Sequence, residues 1–244
     1  MFGVNEELFL SKSVAVVGSA PSLVGKALGP EIDKHQNVFR FNGALTSDFS
    51  DDVGGKSTHI CVGLDLAYFS VYPFVGPKGD VVTKDSPNRL QNALILASLH
   101  PTSIFLTWPY EQSRSKKNMQ HANHQFIKIA AGASRVFTWG KEKDELEVKD
   151  NYQGNKIFEE LGLSTRLVPG KGMRTGLRTI LMLIKSGIKP NIYGFDINPA
   201  IDSVRHYYDN YTNDILDNHP AHDFRGEMAA LVELSLADLI KVRG

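Results

Sequence analysis

Four short groups of residues are of types, and at spacings, that could do chemistry. Gly18-Ser19-Ala20-Pro21-Ser22 follows an apolar run. There, glycine and small hydroxyls let a phosphate or a ribose approach backbone N–H groups. Gly170-Lys171-Gly172 leads through Arg174 to Thr175-Gly176 and a helical pattern, which again suits an anion. His206-Tyr207-Tyr208-Asp209 sets a histidine beside two aromatic rings and a carboxylate, a set that can donate to a phosphate and flank a ring. His222 stands at the start of the last helical pattern, before Glu227. The positive end of a helix dipole disfavours imidazolium, so His222 is expected to be a neutral base near pH 7. Taken singly, each group has a plainer explanation: a tight turn, a helix start, a polar surface turn with packed tyrosines, and one histidine among 8. The first is neither G-x-G-x-x-G nor a P-loop.

Such groups need elements to hold them. Apolar runs at Ser13–Gly18, Val38–Asn42, Ile60–Gly63, Ile104–Trp108, Val136–Trp139 and Asn191–Phe195 read as buried strands. Helical patterns lie between them at Arg89–Leu99, Met119–Ala131, Ile157–Leu161 and Arg174–Ile184, the last stopping at Ser186-Gly187 with Pro190 beyond. A final helix is predicted from about Asp223 to Val242, with Phe224, Met228, Leu231, Val232 and Leu239 on one face. Strands alternating with helices predict an α/β fold: a mostly parallel central sheet flanked by helices, in a single domain over residues 1–244. Val71–Asn88, punctuated by Pro73, Gly76, Pro77, Gly79 and Pro87, and the charged Lys141–Gly154 are predicted to be surface loops, one of them able to cover a site.

Composition narrows the function classes. The 244 residues are 42% hydrophobic, enough for one good core. Lys plus Arg and Asp plus Glu are both 27, so no overall charge steers the chain to nucleic acid or membrane. An anionic ligand must therefore be held by local donors. Cys61 is the single cysteine, which excludes an intramolecular disulfide and a thiolate zinc cage. No run approaches the roughly 20 apolar residues of a membrane span, and no signal-peptide pattern is visible. Lys143-Asp144-Glu145-Leu146 is internal and is not a retention signal. The expectation is a soluble, cytoplasmic protein. No D-x-D pair occurs, so no catalytic Mg²⁺ or Mn²⁺ is expected.

Together the four groups read differently, because they fall in one order. The chain resembles the animal-type sialyltransferases (glycosyltransferase family 29), whose short blocks are called the large, small, third and very small sialyl motifs. The large motif is matched by V-A-V-V-G-S-A-P-S-L at Val14–Leu23, G-P-E-I-D at Gly29–Asp33, V-F-R-F-N-G-A at Val38–Ala44 and D-V-G-G-K-S-T-H at Asp52–His59. Thr175-Gly176-Leu177 with Tyr193-Gly194-Phe195 matches the small motif, His206 to Asp209 the third, and His222 with Glu227 the very small. The resemblance implies a Rossmann-like variant of the GT-A type. It also implies that Gly18, Ser19, Ala20, Ser22 and Asn42 contact the nucleotide phosphate and ribose, that Thr175 and Gly176 hold the CMP moiety with Tyr207 nearby, that His206 bonds the departing phosphate, and that His222 is the general base. Arg40, Asp33 and Tyr193 are expected to be structural supports, and Glu227 to orient the helix start or His222. Three departures stand out. Ser19 replaces the family's asparagine, and Met173-Arg174 replaces Pro-Ser before Thr-Gly, where Arg174 could supply a charge to the donor. The family's disulfide between the large and small motifs has no counterpart, and no anchor or stem is recognised before the large motif, a pattern fitting a bacterial, viral or algal soluble relative.

The reaction so implied moves a sialic acid from CMP-sialic acid to a glycan hydroxyl, with inversion, without metal or cofactor. Breaking the sugar–phosphate ester builds oxocarbenium character on the sugar and charge on the phosphate. Donors at the phosphate and a base at the hydroxyl are then sufficient. Three rivals are weighed: a CMP-Kdo transferase, a nucleotide binder without catalysis, and a nicotinamide oxidoreductase, which the missing G-x-G-x-x-G disfavours.

Overall fold

A computed structural model describes residues 13–62, 89–107, 124–138, 150–196, 207 and 222–244, with side chains from 93 onward in the second stretch. Seven strands are described: β1 Val14–Val17, β2 Asn37–Phe41, β3 His59–Cys61, β4 Ile104–Thr107, β5 Val136–Thr138, β6 Asn191–Tyr193 and β7 Lys241–Arg243. They form one sheet in the order β5-β4-β3-β2-β1-β6-β7, every pair parallel. The helices are α1 Gly29–Asp33, α2 Ser50–Val53, α3 Arg89–Leu99, α4 (124–131), α5 Asn151–Glu160, α6 Thr175–Lys185 and α7 Phe224–Leu236.

β1 is buried at all four positions, as a central parallel strand covered on both faces must be. Successive side chains divide between the layers. Val14 and Val16 join Phe39, Cys61, Leu106 and Ile192 beneath α5, α6 and α7. Ala15 and Val17 face the other way, toward Ile32 of α1 and Val53 of α2. Ile60, Phe105 and Val136 pack beside Ala93, Leu96 and Ile127 of α3 and α4. Cys61 is fully buried in β3, and desolvation pushes its thiol up to about 12.

The chain steps outward from β1 through β2, β3, β4 and β5, then returns to lay β6 on the other side of β1. The order reverses between β1 and β6. In open α/β sheets the crevice at such a reversal, beyond the strands' carboxyl ends, is where ligands bind.

All six predicted strands are present. The last helix is shorter than predicted: it stops at Leu236, with Ala237 as its C-cap and Asp238 at φ 58. The chain then turns, and residues 241–243 pair with β6 instead of continuing the helix. Leu239 still packs on the core, from this turn, while Val232 faces outward at 36% exposure. α5 also starts earlier than predicted, within Lys141–Gly154, because Asp150 caps it by accepting from the Gln153 amide. Val71–Asn88 lies outside the described residues.

Candidate active site

The loop after β1 is shaped by the end of β6. A Cβ on Gly18 would lie 2.2 Å from the Gly194 carbonyl oxygen, so glycine is required by backbone crowding alone. The Gly18 amide donates to the Tyr193 carbonyl at 2.7 Å and the Ala20 amide to the Gly194 carbonyl at 3.1 Å. These two amides therefore tie the loop to the end of β6.

Phe195 joins this loop to the start of α6. Its ring leaves 2.7 Å for a Cβ on Gly176 and 3.2 Å for one on Gly18, and it meets Phe41 edge-on at 6.2 Å. Asn42 follows Phe41 at φ 50, in the left-handed region that asparagine tolerates better than most residues, with its amide donating to the Cys61 carbonyl at 2.9 Å. Gly18, Phe41 and Gly176 are thus gathered around one phenylalanine, with Asn42 next to Phe41 in the chain. No side chain caps α6, whose N-cap is Arg174, so its first amides keep their donor capacity. Tyr207 reaches the same place: its amide donates to the Ser19 carbonyl at 2.9 Å, its hydroxyl donates to the Leu45 carbonyl, and its ring meets Phe49 at 4.8 Å. Desolvation raises its phenol to about 12. His206 lies outside the described residues.

His222 sits one residue before the α7 N-cap, Asp223. Its Nδ1 is 2.8 Å from the Gly172 carbonyl oxygen. A carbonyl only accepts, so Nδ1 carries the proton, and in the neutral ring the lone pair is on Nε2. Glu227 does not orient His222. It is buried, and its two oxygens accept from the Arg174 amide at 2.9 Å and the Arg174 Nε at 2.7 Å. Sequence reading missed this pairing, and also the Gly172 carbonyl; the glycine-rich approach to Thr175 was the available signal.

The expected supports do support. Arg40, 1% exposed, donates to the carbonyls of Lys56, Val53 and Gly54, and Asp33 accepts from the Gly55 and Lys56 amides. Tyr193 donates to Glu31 at 2.9 Å on the far face of the sheet.

Residues 10–78 match the model of glycosyltransferase family 29 (sialyltransferase). Over that stretch the chain is similar to the sialyltransferases. Sialyltransferase-like protein 2 of rice (Oryza sativa subsp. indica) is 23% identical over 236 residues, which cover 90% of this chain and 53% of the rice protein. The chain thus spans about half the length of that relative. Human (Homo sapiens) beta-galactoside alpha-2,6-sialyltransferase 1 is 59% identical over 44 residues, 18% of this chain and 11% of its own length. The crystal structure of a mammalian sialyltransferase superposes with a TM-score of 0.56 at 17% identity, covering 99% of this chain and 72% of that one, which is a likeness of fold. The matched stretch, residues 10–78, includes β1, α1, β2, α2 and β3.

Proposed function

We propose that this chain transfers a sialic acid from CMP-sialic acid to a glycan hydroxyl, with inversion and without a metal. The observation that carries the reading is the hydrogen bond from His222 to Gly172, a residue three before the start of the uncapped α6, which makes Nε2 the basic atom of the neutral ring. The acceptor oxygen attacks the anomeric carbon while His222 Nε2 takes its proton, and CMP leaves from the opposite face with the bonding electron pair. Thr175, Gly176, Ser19, Ser22 and Asn42 are the proposed contacts of the nucleotide, Tyr207 backs the Ser19 loop, and His206 is assigned to the leaving phosphate. Hydrogen-bond donors suffice at that phosphate because CMP is a good leaving group. Metal independence rests on the missing D-x-D; among the described residues no group of three or more His, Cys, Asp or Glu could hold an ion. The fold belongs in this reading as a single-domain, Rossmann-like GT-A-type variant. Among the described residues no helix is long and apolar enough to cross a membrane; a cytoplasmic location is part of the proposal.

The test is product analysis with CMP-sialic acid and CMP-Kdo against a panel of acceptor glycans, with CMP release followed in parallel. Sialylated product formed in excess EDTA is expected. Transfer that is lost on chelation and restored by Mn²⁺ removes the metal-free mechanism. CMP binding without release from either donor removes the enzyme.

A further inference from the structure

Arg174 departs from the small-motif pattern, and its setting is unusually constrained. Its amide and its Nε both donate to Glu227, a carboxylate only 1% exposed. Its guanidinium carbon lies over the Phe224 ring, 4.3 Å from the centroid. Two anchors and a stacking contact hold a side chain that is otherwise among the most mobile, and Arg keeps a planar fork that Lys lacks. With Nε committed to Glu227, the two terminal nitrogens remain. Among the described residues they meet no acceptor, and 32% of the side chain is exposed.

The position along the chain matters as much as the geometry. Gly172 holds the candidate base, Arg174 comes next, and Thr175-Gly176 open the helix assigned to CMP. His222 also meets the same Phe224 ring edge-on at 6.1 Å. A 2-keto sugar acid linked to CMP is laid out in the same order. The attacking hydroxyl lies on one side of the anomeric carbon and the phosphate on the other, and the carboxylate is borne by that carbon itself. A carboxylate so placed calls for a cation between base and phosphate, and Arg174 is the cation that the chain carries between Gly172 and Thr175.

We propose that Arg174 is a specificity-determining residue that binds the carboxylate of the donor sugar through its terminal nitrogens, and that Glu227 is the positioning residue that aims it. This rests on the CMP-sugar reading above. A buried ion pair that merely clamped two helices could be replaced, both partners together, by apolar packing at little cost; one that aims an arginine could not. The arrangement selects sugar acids over neutral sugars carried on the same nucleotide.

The experiment is calorimetric titration of wild type, Arg174→Gln, Arg174→Lys and Glu227→Gln with CMP and with a fluorinated, non-transferable analogue of CMP-sialic acid. Removing a charge-assisted pair of hydrogen bonds is expected to weaken analogue binding about 10- to 100-fold in Arg174→Gln, while CMP affinity stays within about 2-fold. Arg174→Lys keeps a cation for Glu227, and its thermal melt checks the fold. It should show the same selective loss in smaller degree, as should Glu227→Gln. Equal losses for CMP and analogue, or no loss for either, overturn the assignment. Wild type that binds neither compound overturns the donor reading beneath it, a result distinct from both.

Discussion

A single methyl group at position 18 has nowhere to go, because the β6 backbone is already in contact. Gly18→Ala is therefore expected to destabilise the fold by about 1–3 kcal/mol, the usual range for overpacking, as read from urea unfolding. A change under about 0.5 kcal/mol would mean that the β1–β6 seam gives way easily. The sequence offered Gly18 as an approach for phosphate; the structure shows it first as a close approach of two backbones. That reason could not be read locally, because Gly194 is far away in the chain. His222 was legible, since histidine before a helix is a local signal, but its proton arrangement was not. The Gly172 carbonyl that fixes it lies 50 residues earlier. Replacing the Nε2 lone pair in His222→Gln should lower transfer by about 10² to 10⁴, with CMP affinity little changed. Turnover within a few-fold of wild type would remove His222 as the base.

One helix, α7, splints the segment that presents the site. Asp223 accepts from the Val168 amide at 2.8 Å, Glu227 holds Arg174, and Glu233 accepts from the amides of Ser164 and Thr165 and from the Ser164 hydroxyl. These donors hold the Glu233 carboxyl down at about 2, below its ordinary 4.5. A carboxyl depressed in the folded state stabilises the fold above its ordinary value, and that contribution is lost as pH falls through the folded one. Glu233→Gln should therefore lower Tm at neutral pH, with the gap to wild type closing as pH falls from about 4.5 to about 2. A gap that stays constant with pH would show that the charge is not what holds the loop. α6 was readable because its apolar stripe is continuous over 11 residues. β7 was not: three residues, with Val242 alone packing on the core, are too few for an alternation to be read. The first turn of α5 was hidden by Gly154, which packs against the Met173 side-chain methyl.

Across the molecule, alternation of apolar strands and helices was enough to give the α/β class and six strand positions. It could not give strand order, which is fixed by contacts such as that between β1 and β6, separated by most of the chain. Acid should strain the whole structure, since burial holds His59 and His100 at about 4 in the fold. The unfolded chain takes up those protons first, so stability falls as pH drops from the ordinary 6.5 toward 4. Cys61 has a different use. A lone thiol sealed inside β3, between β2 and β4, is a built-in clock for opening of the sheet. Under native conditions an alkylating reagent can reach it only in molecules that have opened, so the labelling rate divided by that of a free thiol gives an opening constant. If that constant equals the unfolding constant from urea, the sheet opens as one unit. Labelling faster by orders of magnitude would show that the β3-β4-β5 half comes apart while the β1–β6 crevice stays closed.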